Sequence, residues 1–398
     1  MIENQTHKFV AESDTELENQ LNNSVEAGLN ASRESSVSLF GLTTSEIRER
    51  IETMGFPAYR GSQVAEWLFR KILPGQSGGY EVSFEDMVDL PADLRARLSL
   101  EFPNKPLTPI EEHKDHRDGT TKVLAHLTVD KFPIECVLLP DSKRVSACIS
   151  TQAGCPMACT FCATGTQGLS RNLTAAEIVS QLLLLQSRSS RRISHFVLMG
   201  MGEPLLNYAN TLQAIKILNR ECGIAMRQIT LSTVGIVPNI YKLAEENLQL
   251  TLAVSLHAPT DELRSSIVPV AKKYPLDKLM EACNYYAQET NRRLTFEYVL
   301  LKEVNDRPED ARNLVKLLRG VHGAVNVIPY NPTAVFEHFQ RPEQSRINEF
   351  RRIVEDSGIT ITQRKERGQQ IAAACGQLVT QSVRTKPSFR ELPVVTGV

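Results

Sequence analysis

Gly154-Cys155-Pro156-Met157-Ala158-Cys159-Thr160-Phe161-Cys162 sets three cysteines in eight residues, spaced Cys-x3-Cys-x2-Cys. Thiolates clustered this tightly bind a soft metal or become oxidised. Structural zinc takes four protein ligands, and no other Cys or His lies close by in sequence, so a zinc knuckle here needs a distant fourth ligand. Three thiolates otherwise suit a 4Fe–4S cluster with one iron left open. An open iron can hold a substrate or cofactor, which an electron-transfer cluster with four cysteines does not need.

Downstream of residue 143 the chain alternates. Short β-rich runs occur at Val145–Ser150, His195–Met199, Ile229–Thr233, Thr251–His257, Leu294–Leu300 and Ala324–Ile328, with helical lengths between them. Thr174-x-x-Glu177 has the form of a capping box opening an apolar helix to about Ser187. Pro275 and Pro308 stand at favourable helix starts. Six β-α units in this order predict an α/β fold, its parallel sheet closed or partly closed into a barrel. Such barrels gather their sites at the C-terminal strand ends. There lie the cysteine stretch, Gly202-Glu203-Pro204, Ser232, Ser255-Leu256-His257 and Asn331. Each alone is what an ordinary strand end carries. Together they form a lining suited to a zwitterionic nucleoside cofactor.

Upstream, residues 105–142 alternate in the manner of strands. Asp118-Gly119 is a hairpin-turn signal, and Thr121–Val129 and Phe132–Leu139 read as paired strands. Glu135 lies in the second, on the side of Val137 and Leu139, which places it either at a sheet edge or in a site. Residues 42–104 read as a small helical domain. One helix runs from a Thr44 cap through Glu52, with Ile47 and Ile51 on one face. Gly55-Phe56-Pro57 breaks it. A second runs from about Gly61 to Lys71, carrying Val64, Trp67 and Leu68, and a third lies near Pro91–Leu100. Tyr59, Arg60, Gln63 and Lys71 suit phosphate contact, or else form a solvated helix face with Tyr59 in the core. Residues 1–41 read as a disordered acidic tail and 381–398 as a flexible one.

The length of 398 residues accommodates one large and one small domain. A hydrophobic content of 41% and a charged content of 23% are ordinary for soluble protein. No apolar run approaches the roughly 20 residues of a membrane span, and the start has no signal-peptide pattern. Eight cysteines in such a chain fit a reducing, cytoplasmic compartment where thiols serve metals or catalysis. The net charge of −1 hides an asymmetry. Residues 1–40 hold seven acidic and two basic residues, leaving 43 Lys and Arg against 39 Asp and Glu, a net of +4 that permits an RNA partner. Arg341, Arg346, Arg351, Arg352, Arg364, Lys365 and Arg367 form a basic stretch, either a phosphate grip or surface helix charge.

The cysteine spacing, with an aromatic residue before the last Cys, resembles the cluster motif of radical S-adenosylmethionine (SAM) enzymes. It runs on as Ala163-Thr164-Gly165-Thr166-Gln167-Gly168-Leu169-Ser170-Arg171-Asn172-Leu173. Then come Met199-Gly200-Met201-Gly202-Glu203-Pro204-Leu205, Ser232-Thr233-Val234-Gly235, Ser255-Leu256-His257-Ala258-Pro259, Ile328-Pro329-Tyr330-Asn331-Pro332 and Ala373-Ala374-Cys375-Gly376-Gln377-Leu378. Together these resemble the RlmN family, dual-specificity RNA methyltransferases acting on carbon 2 of an adenosine in 23S rRNA and in certain tRNAs. The resemblance covers about 42–380. It implies a partial (βα)6 TIM-like radical SAM barrel at 143–380 with a catalytic C-terminal loop. An RNA-binding-type helical domain (42–104) and a β-hairpin extension (105–142) would precede it.

The resemblance also implies roles. Cys155, Cys159 and Cys162 would bind a 4Fe–4S cluster. Gly202 and Glu203 would contact SAM at its amino group, with Ser232, Ser255, Leu256, His257 and Asn331 completing the pocket. Cys375 would carry the methyl group, Cys148 would resolve the linkage, and Glu135 would accept a proton. Carbon 2 of adenine is an electrophilic amidine carbon that a carbon radical can attack, hence the radical cofactor. The family pattern has Asp where Gln370 stands, before Ala373-Ala374-Cys375. The partners implied are 23S rRNA, tRNA and a flavodoxin-type electron donor, with no membrane and a monomeric state. Cys136, Cys222 and Cys283 match no motif and read as structural. The alternatives are a Cfr-type enzyme methylating carbon 8, and a non-catalytic iron–sulfur or zinc RNA-binding protein.

Overall fold

The structure is a computed structural model describing residues 38–70, 80–103, 105–333, 335–336 and 338–378. Lys71, the 381–398 tail and most of the N-terminal one lie outside these. Leu39 and Phe40, expected in the tail, are buried in a short 3-10 turn (Leu39–Gly41) that packs on the first barrel helix.

Helix α1 spans Thr44–Thr53. Its cap is Thr43, one residue earlier than expected. Thr43 donates its N–H to Glu46 at 2.7 Å and its hydroxyl accepts from the Glu46 N–H, a capping box. Thr44 is instead engaged by Glu221. α2 (Tyr59–Ala65) continues into a π-turn, Glu66–Arg70, and α3 covers Ala92–Glu101. Ile47, Ile51, Val64, Leu68, Leu94 and Leu98 are buried and continuous with the barrel core. Tyr59 is 55% exposed, so its core reading falls. It sits at the open first turn of α2 with the Arg60 guanidinium 4.8 Å from its ring centre.

Three strands follow, β1 (Leu107–Lys114), β2 (Thr121–Leu127) and β3 (Pro133–Pro140), paired antiparallel. Asp118-Gly119 turns between β1 and β2, and the expected pairing of β2 with β3 is present. The extension is therefore larger than a hairpin, and it is not separate from the barrel. β3 pairs antiparallel with β4 (Val145–Cys148), which pairs parallel with the next barrel strand. β5 (Gln152–Cys155) and β6 (Gly168–Asn172) form a small ribbon around the cysteine loop.

The alternation then proceeds: α4 (Ala175–Gln186), β7 (His195–Leu198), α5 (Tyr208–Arg220), β8 (Ile229–Thr233), α6 (Val237–Glu245) and β9 (Thr251–Ser255). It continues through α7 (Asp261–Ile267), α8 (Leu276–Thr290), β10 (Leu294–Leu300), α9 (Pro308–Leu317), β11 (Gly323–Pro329), α10 (Gln344–Asp356) and β12 (Ile361–Gln363). The ten-stranded sheet has the order β1-β2-β3-β4-β7-β8-β9-β10-β11-β12 and is not closed. All six expected parallel strands are present, and β12 adds a seventh. β4 and β9 end earlier than their apolar runs, because Ser150 and His257 belong to loops beyond the sheet. Among the described residues no helix is long and apolar enough to cross a membrane.

Candidate active site

The rim past β7, β8 and β9 is built around Glu203. Gly202 has φ 104°, and a Cβ there would stand 2.7 Å from the Gln152 nitrogen, so only glycine fits the approach. Gln152 Oε1 accepts the Glu203 N–H at 2.8 Å. The buried Glu203 carboxylate accepts the N–H groups of Leu205 (3.0 Å) and Val234 (2.8 Å). Burial pushes its pKa up to about 7, against the pull of those donors. Ser232, Ser255 and His257 line the same cavity with Cys162 and Phe161. His257 stands edge-on to Phe161, 4.9 Å between ring centres, and its Nδ1 accepts the Val299 N–H at 3.1 Å. Burial, aided by the Arg264 charge, pushes its pKa down to about 3, so the imidazole is neutral. Leu256 turns its side chain into the core and offers backbone alone, its carbonyl accepting from Arg264 Nε at 3.1 Å.

The three motif cysteines are poor anions without a metal. Burial raises Cys155 to about 12 and pushes Cys159 and Cys162 up, and the neighbouring thiols add to the effect. Such thiols ionise readily only against a cation. Among the described residues no three Cys, His, Asp or Glu side chains converge on a position for a single ion. A cuboidal cluster binds each thiolate to a different iron and does not need that convergence, whereas zinc does. Arg264 adds a second indication. It is fully buried, holding the carbonyls of Leu256, Val234 and Ser255, yet its Nη1 has no protein partner and its charge acts on Cys159. A buried cationic donor beside a thiolate ligand suits an anionic cluster. The three buried thiols and the buried Arg264 charge therefore fit a 4Fe–4S cluster.

A second cavity adjoins the first, and Cys375 and Arg364 line both. Cys148, at the end of β4, lines the second together with Asn331. Asn331 donates weakly to the Cys375 carbonyl (3.4 Å), and its buried Oδ1 has no protein partner. Val137, Cys148, Met201, Ala373 and Leu378 pack into an apolar patch that seats the Cys375 loop on the sheet. Burial first, then the nearby Cys375, pushes the Cys148 thiol up to about 12, with Arg364 opposing. All eight cysteines are free, and Cys136, Cys222 and Cys283 are buried away from both cavities.

Glu135 lies on β3, between β2 and β4, so the sheet-edge alternative falls. Its carboxylate pairs with Lys122 Nζ at 2.9 Å, both side chains nearly buried, and it lines neither cavity. Arg364, expected either in a phosphate grip or as surface helix charge, follows β12 and points inward. It lies 3.4 Å from Met199 Sδ and 3.8 Å from Glu297. The rest of that basic stretch is partly neutralised: Arg341 pairs with Glu366, Arg346 with Glu349, and Arg367 with Asp141. Sequence reasoning missed Lys122, Glu297 and the inward turn of Arg364. The available signal was a charge in the middle of an apolar strand, as in Phe296-Glu297-Tyr298.

Known proteins resemble this chain over most of its length. Residues 149–317 match the family model described as the radical SAM superfamily, and residues 37–102 match the ribosomal RNA large subunit methyltransferase N-terminal domain. A probable dual-specificity RNA methyltransferase RlmN of Thermosynechococcus vestitus is 47% identical over 341 residues, 85% of this chain and 97% of that one. Its namesake from Symbiobacterium thermophilum is 44% identical over 348 residues, 86% of this chain and 91% of that one. The crystal structure of a radical SAM methyltransferase from Sphaerobacter thermophilus superposes with a TM-score of 0.81 at 44% identity, covering 86% of this chain and 99% of that one.

Proposed function

Because the chain belongs to the RlmN family of dual-specificity RNA methyltransferases, within the radical SAM superfamily, we propose that it methylates carbon 2 of an adenosine in 23S rRNA and in tRNA, using Cys375 as methyl carrier. The observation that supports this most is the place of Cys375 on both cavities, with Cys162 and Glu203 facing one and Cys148 facing the other. A 4Fe–4S cluster on Cys155, Cys159 and Cys162, with SAM, supplies when bound a carbon radical able to take hydrogen from a methyl group.

The chain's own residues do the rest. Gly202 and Glu203 hold the amino group of SAM. Ser232, Ser255, the Leu256 backbone and neutral His257 complete the pocket, while Asn331, expected there, serves the Cys375 loop from the second cavity. Phe161 and the apolar walls exclude water. Cys375, its sulfur methylated by one SAM with S-adenosylhomocysteine leaving, presents that carbon at the junction of the cavities, and after giving one hydrogen atom to the SAM-derived radical the carbon bonds to carbon 2. Glu135, which lines neither cavity but is held by Lys122 against the Cys375 loop, is assigned the proton released from that carbon as the adduct gives up one electron to the redox group the three cysteines would hold. Cys148 then attacks the Cys375 sulfur, freeing the methylated base and leaving a disulfide for an external thiol to reduce. An adenine reaching this recess is unstacked and flipped, with Lys365 at the cavity wall to meet phosphate. A flavodoxin-type donor, a monomeric state and a cytoplasmic site of action complete the proposal.

The test is a pair of variants incubated with SAM, reductant and RNA. Cys148→Ala accumulates protein joined covalently to RNA, seen as an RNase-sensitive shift on a denaturing gel, and Cys375→Ala forms none. Normal turnover by Cys148→Ala would sink the mechanism. Mass spectrometry of the product nucleoside separates carbon 2 from carbon 8.

A further inference from the structure

The approach to Cys375 is gripped from the β1–β2 turn as well as from the barrel. Gly368 donates its N–H to Asp118 Oδ2 at 3.1 Å. Its φ is 62°, and a Cβ there would stand 2.8 Å from both Thr120 Cγ2 and Ala373 Cβ. Lys122, on the strand leaving that turn, is the innermost contact. Its ammonium donates to the Ala372 carbonyl at 3.3 Å while pairing with Glu135 at 2.9 Å, and its side chain is 9% exposed. Ala372 has φ 48°, a left-handed conformation that a residue with a Cβ keeps only when its surroundings hold it. A buried ammonium in turn needs a matching charge and acceptors for its protons, and these two groups supply both.

We infer that Lys122 is a positioning residue that ties the Glu135 carboxylate to the Cys375 loop, so that proton acceptor and methyl carrier keep one spacing. This rests on the proposed roles of Cys375 and Glu135. A loop released from Lys122 carries its methyl group out of reach, and SAM is then consumed without transfer.

Lys122→Met and Lys122→Arg in the full-length protein test the inference with two readouts. Hydrogen–deuterium exchange across 368–376 should quicken at least tenfold in Lys122→Met and stay within threefold of parent in Lys122→Arg. SAM cleaved per adenine methylated should rise about tenfold in Lys122→Met and return toward parent in Lys122→Arg, a ratio that general loss of stability does not move. Parental exchange and an unchanged ratio in Lys122→Met would overturn the inference. If Lys122→Met shows no melting transition, Asp118→Ala carries the same two readouts, because it removes the Gly368 contact at the turn; unchanged values there overturn it equally. Cys148→Ala with Lys122 intact separates the two levels. No RNA adduct in that protein sinks the methyl-carrier role, while the exchange result still decides the clamp.

Discussion

At Glu203, burial and hydrogen bonding pull in opposite directions and burial wins. The folded carboxyl titrates at about 7 against a usual 4.5. A group whose pKa rises on folding stabilises the fold while protonated. Its contribution is full below about 4.5 and lost as pH climbs through about 7. At about 1.36 kcal/mol per unit the loss is roughly 3 kcal/mol at most. Urea melts of metal-free protein should therefore show the parent losing stability relative to Glu203→Gln between these pH values; parallel curves would show that Glu203 ionises without cost. Gly202→Ala puts a Cβ 2.6 Å from that of Gln152 and should weaken SAM binding tenfold or more in equilibrium dialysis, whereas unchanged affinity would remove the close-approach argument. Residues of this rim were legible because a strand end fixes which way a loop residue can go. Lys122 and Glu297 were visible as charges inside strands, but the face each takes depends on its pairing partners. Those partners, Glu135 for the first and Asn326 for the second, are brought in by other strands.

Among the elements, α4 is the one whose start is written most openly. Thr174 and Glu177 form the expected capping box, with the Thr174 N–H donating to Glu177 at 2.8 Å. Glu177 also receives Arg171 at 2.7 Å, and Arg171 continues to Asp130 in the β2–β3 turn. Thr174→Ala should cost about 1 kcal/mol and Thr174→Ser little, by denaturant midpoint; equal losses would indicate that the methyl group matters more than the cap. The first helix shows the limit of such reading. Thr43 and Thr44 both have the right chemistry, and the choice is made by Glu221, 177 residues away, which takes Thr44. β12 escaped notice because three residues are too few to display a period of two, and its pairing with β11 supplies what its own pattern does not. With it went the inward direction of Arg364.

For the whole molecule, the three-thiolate loop predicts about four irons per anaerobically purified chain, lost in Cys159→Ala together with SAM cleavage. Zinc-loaded protein that retained activity would contradict the cluster assignment. The six barrel strands were readable because each is a β-rich run set between stretches of helical length, whereas the fusion of the extension into the same sheet was not, since either half reads alike alone or joined. The sheet stays open, and the chain after β12 crosses back over the other half: Arg367 reaches Pro140 and Asp141, Gly368 reaches Asp118, and Ala372 reaches Lys122. That segment behaves as a drawbar between the two halves of the sheet, fixed at both ends, with Cys375 just past the far pin. A drawbar tolerates repainting but not relengthening. One glycine inserted between Lys365 and Glu366 should abolish adduct formation in the Cys148→Ala background where most substitutions there only reduce it, because the quantity this stretch has to keep is the number of residues between Gln363 and Cys375.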